Sequence, residues 1–93
     1  MLKFEGKHIL ITGGPRGLGF EIAKGFVESG AVVSIFDIHE QNLEEAQKYL
    51  SGKKGSINTQ KIHVADQEEV KAGVRKAEDI APIDVLINNA GIA

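Results

Sequence analysis

Ninety-three residues with 11 basic and 13 acidic side chains, a net charge of −2 and 42% hydrophobic content describe one small domain with a limited core. This near-neutral balance favours neither nucleic acid nor an anionic membrane as a partner, and the absence of cysteine removes disulfide frames and thiolate chemistry. No apolar run is long enough to span a bilayer, and Met1-Leu2-Lys3-Phe4-Glu5 lacks the apolar core of a signal peptide, so a soluble, cytoplasmic protein is expected.

Gly6, Lys7 and His8 lead into a first strand, Ile9 to Thr12, whose unbroken apolar run suits burial on both faces and a central place in a sheet. The eight residues Thr12 to Gly19 read TGGPRGLG and stand between that strand and a segment of helical periodicity. Strand, glycine turn and helix in this order aim free backbone N–H groups and the positive end of a helix dipole at a phosphate, so the segment reads as a pyrophosphate cradle. Gly13 and Gly17 are expected to permit the turn and Gly19 to admit close approach of a ligand, a Cβ at positive φ costing about 1–2 kcal/mol. A Walker loop is excluded, because Phe20 and Glu21 follow Gly19 where Lys and Ser or Thr are needed. The common G-x-G-x-x-G fingerprint fails at Ile22.

Apolar residues at Leu18, Ile22 and Phe26, with Ala23 and Val27 alongside, predict a helix from Leu18 to Ser29 that Gly30 closes. Ala31 to Asp37 reads as a second buried strand. Glu40 to Leu50 reads as a helix with Leu43, Ala46 and Leu50 on its apolar stripe. Ser51 to Ser56 is a polar turn, and Ile57 to Val64 alternates imperfectly, as an edge strand does. Asp66 caps a third helix, with Glu69 placed as in a capping box and Val70, Gly73, Val74 and Ala77 facing inward. Pro82 stops that helix, and Ile83 to Asn88 forms a fourth strand. Alternating strands and helices with right-handed crossovers give an α/β fold on a parallel sheet.

The spacing T-G-x-x-x-G-x-G from Thr12 to Gly19, together with Asn88-Asn89-Ala90-Gly91, resembles the compact members of the short-chain dehydrogenase/reductase family. The extended branch of that family would want glycine where Arg16 stands. The resemblance implies a Rossmann-like three-layer fold of strand order 3-2-1-4, one NAD(P)-binding half-domain over residues 1–93, and a ligand crevice between strands one and four. Gly13, Pro15, Arg16, Gly17, Leu18 and Gly19 would then cradle the cofactor. Asp37, eighteen residues after Gly19, stands close to the spacing at which an acid accepts hydrogen bonds from the adenosine ribose, which favours NAD over NADP. Arg16 argues the other way, but Asp37 would touch the ribose directly. Ile38 would pack on adenine or cover the sheet edge. Asp66, after Val64 and Ala65, matches the acid that bonds the exocyclic amine of adenine, and its plainer role is the helix cap; Gln67 departs from the family pattern. Asn88 and Asn89 would knit the central strands around the cofactor, with Ala90 and Gly91 leaving room beside the nicotinamide ribose.

In this family a tyrosine, a lysine and a serine carry proton transfer coupled to hydride transfer on an alcohol or carbonyl, and they belong to a later strand and helix. The 93 residues are therefore expected to bind cofactor without turning over substrate, a small molecule that only a full-length form would take. The alternative is a non-catalytic dinucleotide-binding or protein-interaction module that uses an open sheet edge. Tyr49 and Lys53 imitate the catalytic Tyr-x-x-x-Lys, but Gly52 breaks the turn between them and they fall far from the crevice; Tyr49 is expected to pack on the helix or sheet edge. His8, His39 and His63 sit on different elements and make no metal site, and are read as solvent-facing or strand-end residues. With two helices on one face and one on the other, Val85, Leu86 and Ile87 are left partly bare, which predicts a homo-oligomer through the fourth-strand edge or the uncovered face.

Overall fold

The computed structural model describes residues 3–13 and 18–89, with Leu18 at the level of its main chain. In chain order the elements are β1 (His8–Thr12), α1 (Leu18–Glu28), β2 (Val32–Asp37), α2 (Glu40–Leu50), β3 (Ser56–Lys61), α3 (Gln67–Ile80) and β4 (Val85–Asn88). The four strands form one sheet in the order β3-β2-β1-β4, parallel throughout. This is the Rossmann-like arrangement expected, with β1 inside and β3 at an edge.

Alternation along the strands sends side chains to two cores. Ile9, Ile11, Val33, Ile35 and Ile57 pack with Ala23 and Val27 of α1 and Leu43, Ala46 and Leu50 of α2. On the opposite face Leu10, Phe36 and Ile62 meet Val70 and Val74 of α3, with Ile83 beside them. Burial on both faces is why the strands read as unbroken apolar runs instead of alternating ones. Gly30 ends α1 at φ +92°, a conformation glycine reaches without a Cβ clash.

Two strand boundaries differ from expectation by more than one residue, and one helix cap differs in its partners, each for a hydrogen-bonding reason. The third strand ends at Lys61, not Val64: Ile62 still donates to the Asp37 carbonyl at 3.0 Å, after which the chain turns and Asp66 N–H donates to the His63 carbonyl at 2.8 Å. The fourth strand begins at Val85, not Ile83, because Asp84 is engaged sideways, its N–H donating to the His8 carbonyl and its Oδ2 accepting from His8 N–H, both at 2.9 Å. The capping box is altered. Asp66 Oδ1 accepts from the N–H groups of Glu68 (3.0 Å) and Glu69 (3.1 Å), but the Glu69 carboxylate accepts from His63 N–H at 2.9 Å instead of reaching back to the cap residue.

His8 stands at a strand end and is wholly buried, not solvent-facing. Its Nδ1 donates to the Ala81 carbonyl at 2.7 Å, and its Nε2 lies 2.7 Å from Ser34 Oγ. The Ser34 hydroxyl is also 2.8 Å from Asn58 Oδ1, and Asn58 Nδ2 donates to the Val33 carbonyl at 3.1 Å. A polar line thus ties β1, β2, β3 and the end of α3 through the sheet interior, where an unsatisfied group would cost about 1–3 kcal/mol.

Gly55, within the polar turn before β3, is held by close approach. A Cβ there would overlap the Ala31 carbonyl and lie 2.8 Å from the Val27 carbonyl oxygen. Its own N–H donates to that Val27 oxygen at 2.8 Å, joining the α1–β2 and α2–β3 turns. Gly25, on the exposed side of α1, faces open space. Gly55→Ala is therefore expected to lower unfolding free energy by about 3 kcal/mol through overpacking, and Gly25→Ala to raise it by about 0.5–1 kcal/mol through helix propensity; urea denaturation of the two variants measures both signs.

Candidate functional site

The strand order reverses between β1 and β4, and the carboxyl ends of both strands meet there. Thr12, the last residue of β1, is paired with Phe36 on one side and Asn88 on the other, and its Oγ1 donates to Asn88 Oδ1 at 3.0 Å. Gly13 then prolongs the ladder by one bond, its N–H donating to the Phe36 carbonyl at 2.6 Å. The chain at Gly13 runs so close to β2 that a Cβ would stand 2.7 Å from Asp37 Oδ2 and 3.2 Å from the Phe36 carbonyl.

Neither Gly13 nor Gly19 has positive φ; among the described residues only Gly6, Gly30 and Gly52 do. Gly13 is therefore not selected by a left-handed turn, and Gly17, the other glycine expected to permit the turn, lies outside the described residues. Gly13 is needed for space against β2. A Cβ on Gly19 would meet only Asn89 Nδ2, at 3.4 Å, so the fold itself tolerates one there.

Asn89, just past β4, is completely buried, and among the described residues neither its amide nitrogen nor its amide oxygen has a hydrogen-bond partner. A buried amide left unsatisfied costs about 1–3 kcal/mol and marks a place where a polar ligand would be welcome. It lies beside the first turn of α1, where main-chain N–H groups have no intrahelical acceptor.

Asp37 ends β2, with 9% of its surface exposed. Its Oδ1 accepts from the main-chain N–H of His39 (2.8 Å) and from His39 Nδ1 (3.1 Å), and its Oδ2 from Asn42 Nδ2 (3.1 Å). Three donors leave one acceptor position on Oδ2. Beside it opens a cleft of ≈ 210 Å³ walled by Gly13, Phe36, Asp37, Ile38, His39, Ile62, His63 and Val64. Ile38 and Val64 present apolar surface to it, 44% and 42% exposed.

Asp66 is outside this cleft, in a neighbouring depression with His63, Ala65, Gln67 and Glu69. Its observed work is the cap of α3. Pro15, Arg16, Gly17, Ala90, Gly91 and the Leu18 side chain lie outside the described residues. Tyr49 does not pack on the helix or sheet edge as expected; it is largely exposed, with Lys48 Nζ 5.4 Å from its ring centre. Sequence reasoning missed His39, Asn42, Ile62 and His63 as neighbours of Asp37. For His39 the signal was its place two residues beyond Asp37; Ile62 and His63 come alongside only through β2–β3 pairing.

An open parallel sheet with a crevice where strand order reverses, a glycine cleared against the second strand and a carboxylate at that strand's end defines the dinucleotide-binding class of α/β proteins. The sequence profile of the short chain dehydrogenase family matches residues 7–93, and the chain belongs to that family. Its fold is one that binds NAD(P), and the family is one of oxidoreductases. The chain is 40% identical over 93 residues to 5-keto-D-gluconate 5-reductase of Escherichia coli K12, covering 99% of this chain and 37% of that relative. Among solved structures it is similar to L-sorbose reductase from Gluconobacter frateurii complexed with NADPH and L-sorbose, with a TM-score of 0.85, 32% identity, and coverage of 97% of this chain and 35% of that one. It is also similar to NAD+-bound xylitol dehydrogenase, with a TM-score of 0.83, 28% identity, and coverage of 90% and 33%. The chain spans little more than a third of the length of the curated relatives it matches.

The two described glycines of the motif should separate by stability. Gly13→Ala drives a Cβ into the Asp37 carboxylate and is expected to cost about 1–3 kcal/mol, whereas Gly19→Ala should stay within about 1 kcal/mol of the parent. Equal losses in thermal or urea unfolding would contradict the assignment of Gly13 to strand packing.

Proposed function

We propose that residues 1–93 act as one NAD-binding domain, the cofactor half of a cytoplasmic oxidoreductase that works on an alcohol or carbonyl. The observation that carries this reading is Asp37, a carboxylate clamped by three donors at the mouth of a cleft, with one acceptor position remaining. A ribose hydroxyl can donate to that position. A 2′-phosphate there would face a fixed negative charge, which disfavours NADP.

The residues present fit the group. In this reading the main chain at Gly13, Pro15, Arg16, Gly17, Leu18 and Gly19 holds the diphosphate, and Ile38 covers the adenine. Asp66 bonds the adenine amine through an oxygen not used in capping. The orphaned amide of Asn89, with Ala90 and Gly91, borders the nicotinamide ribose. The cofactor, once bound, supplies hydride exchange; the chain's own side chains bind and orient it and exclude water from the cleft. We assign no residue of the 93 to proton transfer, so this chain alone should bind NAD without oxidising an alcohol.

A second reading, an interaction module, is favoured by Leu86 and Ile80, which are 60% and 54% exposed. The outer edge of β4 has no strand partner among the described residues. We propose a second copy of the chain as the occupant of that edge, because unpaired parallel edges recruit strands. A monomer at high concentration in sedimentation would remove this part.

Calorimetric titration tests the main reading. NAD should bind more tightly than NADP, and Asp37→Ala should weaken NAD by about 10- to 100-fold, the worth of a charged hydrogen bond, while raising relative NADP affinity. An unchanged ratio would remove the support that Asp37 lends.

A further inference from the structure

The sheet has two outer edges, and they are unlike. β3 offers Ser56-Ile57-Asn58-Thr59-Gln60-Lys61, polar everywhere but at Ile57, with Lys61 paired to Glu40 at 3.6 Å. Polar and charged residues of this kind keep an edge from recruiting strands. β4 reads Val85-Leu86-Ile87-Asn88 and carries no charge, and its Leu86 side chain is exposed. The Asp84 N–H donates to the His8 carbonyl, and the parallel register then runs from Ile9↔Val85 to Thr12↔Asn88. Peptide groups alternate in direction along such a strand, so those of Leu86 and Asn88 face β1 while those of Val85 and Ile87 face outward. The Ile87 carbonyl accepts from Asn89 N–H at 3.0 Å and keeps a second lone pair. Val85 and Ile87 join the core beneath α1 and α2, whereas Leu86, partnered with Leu10 in the register, lies on the α3 face.

We propose that the β4 edges of two copies pair antiparallel about a two-fold axis at Leu86, so that one sheet continues into the other and the two Leu86 side chains meet. This rests on the reading of a second copy as the occupant of that edge and gives it a register. A two-fold axis makes the contact isologous, and two edge strands related by it run antiparallel. Centred on Leu86, it sets Val85 opposite Ile87 of the partner copy, and their outward peptide groups exchange hydrogen bonds. Asp84 then stands opposite Asn88, with no like charge facing it. Its carboxylate is already turned toward its own sheet, Oδ2 accepting from His8 N–H at 2.9 Å.

Neighbouring registers are worse. An axis at Val85 sets the Asp84 carboxylate opposite Leu86, and an axis at Ile87 sets Leu86 opposite the polar Asn88. The Leu86 register keeps apolar side chains against apolar ones on both faces. On the α1 side, the half-buried Ile22 and Phe26 pack in the same cluster as Val85 and Ile87, so the pairing joins two partly open cores into one. A strand of 4 residues with its flanks makes an interface at the small end of the known range, and the dimer is expected to be weak and reversible.

The chain contains no cysteine, so a single introduced thiol reports the contact. In an antiparallel pair whose neighbours carry the hydrogen bonds, facing Cα atoms stand about 4.5 Å apart, within the reach of a disulfide. Leu86→Cys should therefore form a disulfide-linked dimer under mild oxidation at least about tenfold faster than Tyr49→Cys, an exposed position on α2 that only random collision brings together. Sedimentation of the parent at rising concentration should show a monomer–dimer equilibrium. Leu86→Lys should weaken it about tenfold or more, because like charges would then face each other at close range. Mixing Leu86→Lys with Leu86→Glu should restore the dimer, and circular dichroism should find each variant folded. A dimer that Leu86→Lys weakens but Leu86→Cys does not link would overturn the axis and leave the edge as the contact. A parent that stays monomeric, or a dimer indifferent to Leu86→Lys, would overturn both the axis and the reading on which it rests.

Discussion

Everything in this fold hangs on β1 having neighbours in every direction. β2 and β4 flank it in the sheet, α1 and α2 lie over Ile9 and Ile11, and α3 lies on the opposite side, where Leu10 points. Burying each of these large aliphatic side chains contributes about 1.5–3 kcal/mol, and a strand so enclosed cannot shift register without turning its whole apolar set the wrong way. The exit of β1 is therefore held in place. Gly13 leaves the sheet at a defined point, pressed against β2, and everything assigned to the crevice is positioned from there.

That enclosure also explains the chemistry at the end of β2. Asp37 is a mostly buried carboxylate, which is tolerated only if hydrogen-bonded. His39 and Asn42 supply the donors from the beginning of α2, so the helix that covers one face of the sheet also orients the acid at its edge. The His8, Ser34 and Asn58 line does the corresponding work at the opposite ends of the strands, tying four elements through polar contacts where the apolar cores leave off.

The fold was legible because double-sided burial leaves a strong mark: Ile9 to Ile11 and Ala31 to Phe36 have nothing polar to confuse them except Ser34, and α2 has a clean stripe at Leu43, Ala46 and Leu50. Ser34 itself was not interpretable, since its partners His8 and Asn58 lie 26 and 24 positions away. Local pattern carries no record of such contacts. The early end of β3 was hidden for a similar reason, because Val64 continues the apolar alternation while the capping of α3 pulls the chain out of the sheet. Asp37 could be named from its spacing, but its neighbours could not: Ile62 and His63 reach the cleft by strand pairing. Gly13 was read as a turn residue, and its steric need for glycine, the close approach to Asp37, is a contact that local sequence does not record.

The most direct measurement is a nitrogen–proton NMR titration of the chain with NAD, following every backbone amide. A ligand seated at the carboxyl ends of the strands should shift Gly13, Gly19, Asp37, Ile38 and Asn89 together, with one common dissociation constant. Shifts confined instead to Ile80, Leu86 and the outer edge of β4, or none at saturating NAD, would contradict the crevice as the place where this chain holds a dinucleotide.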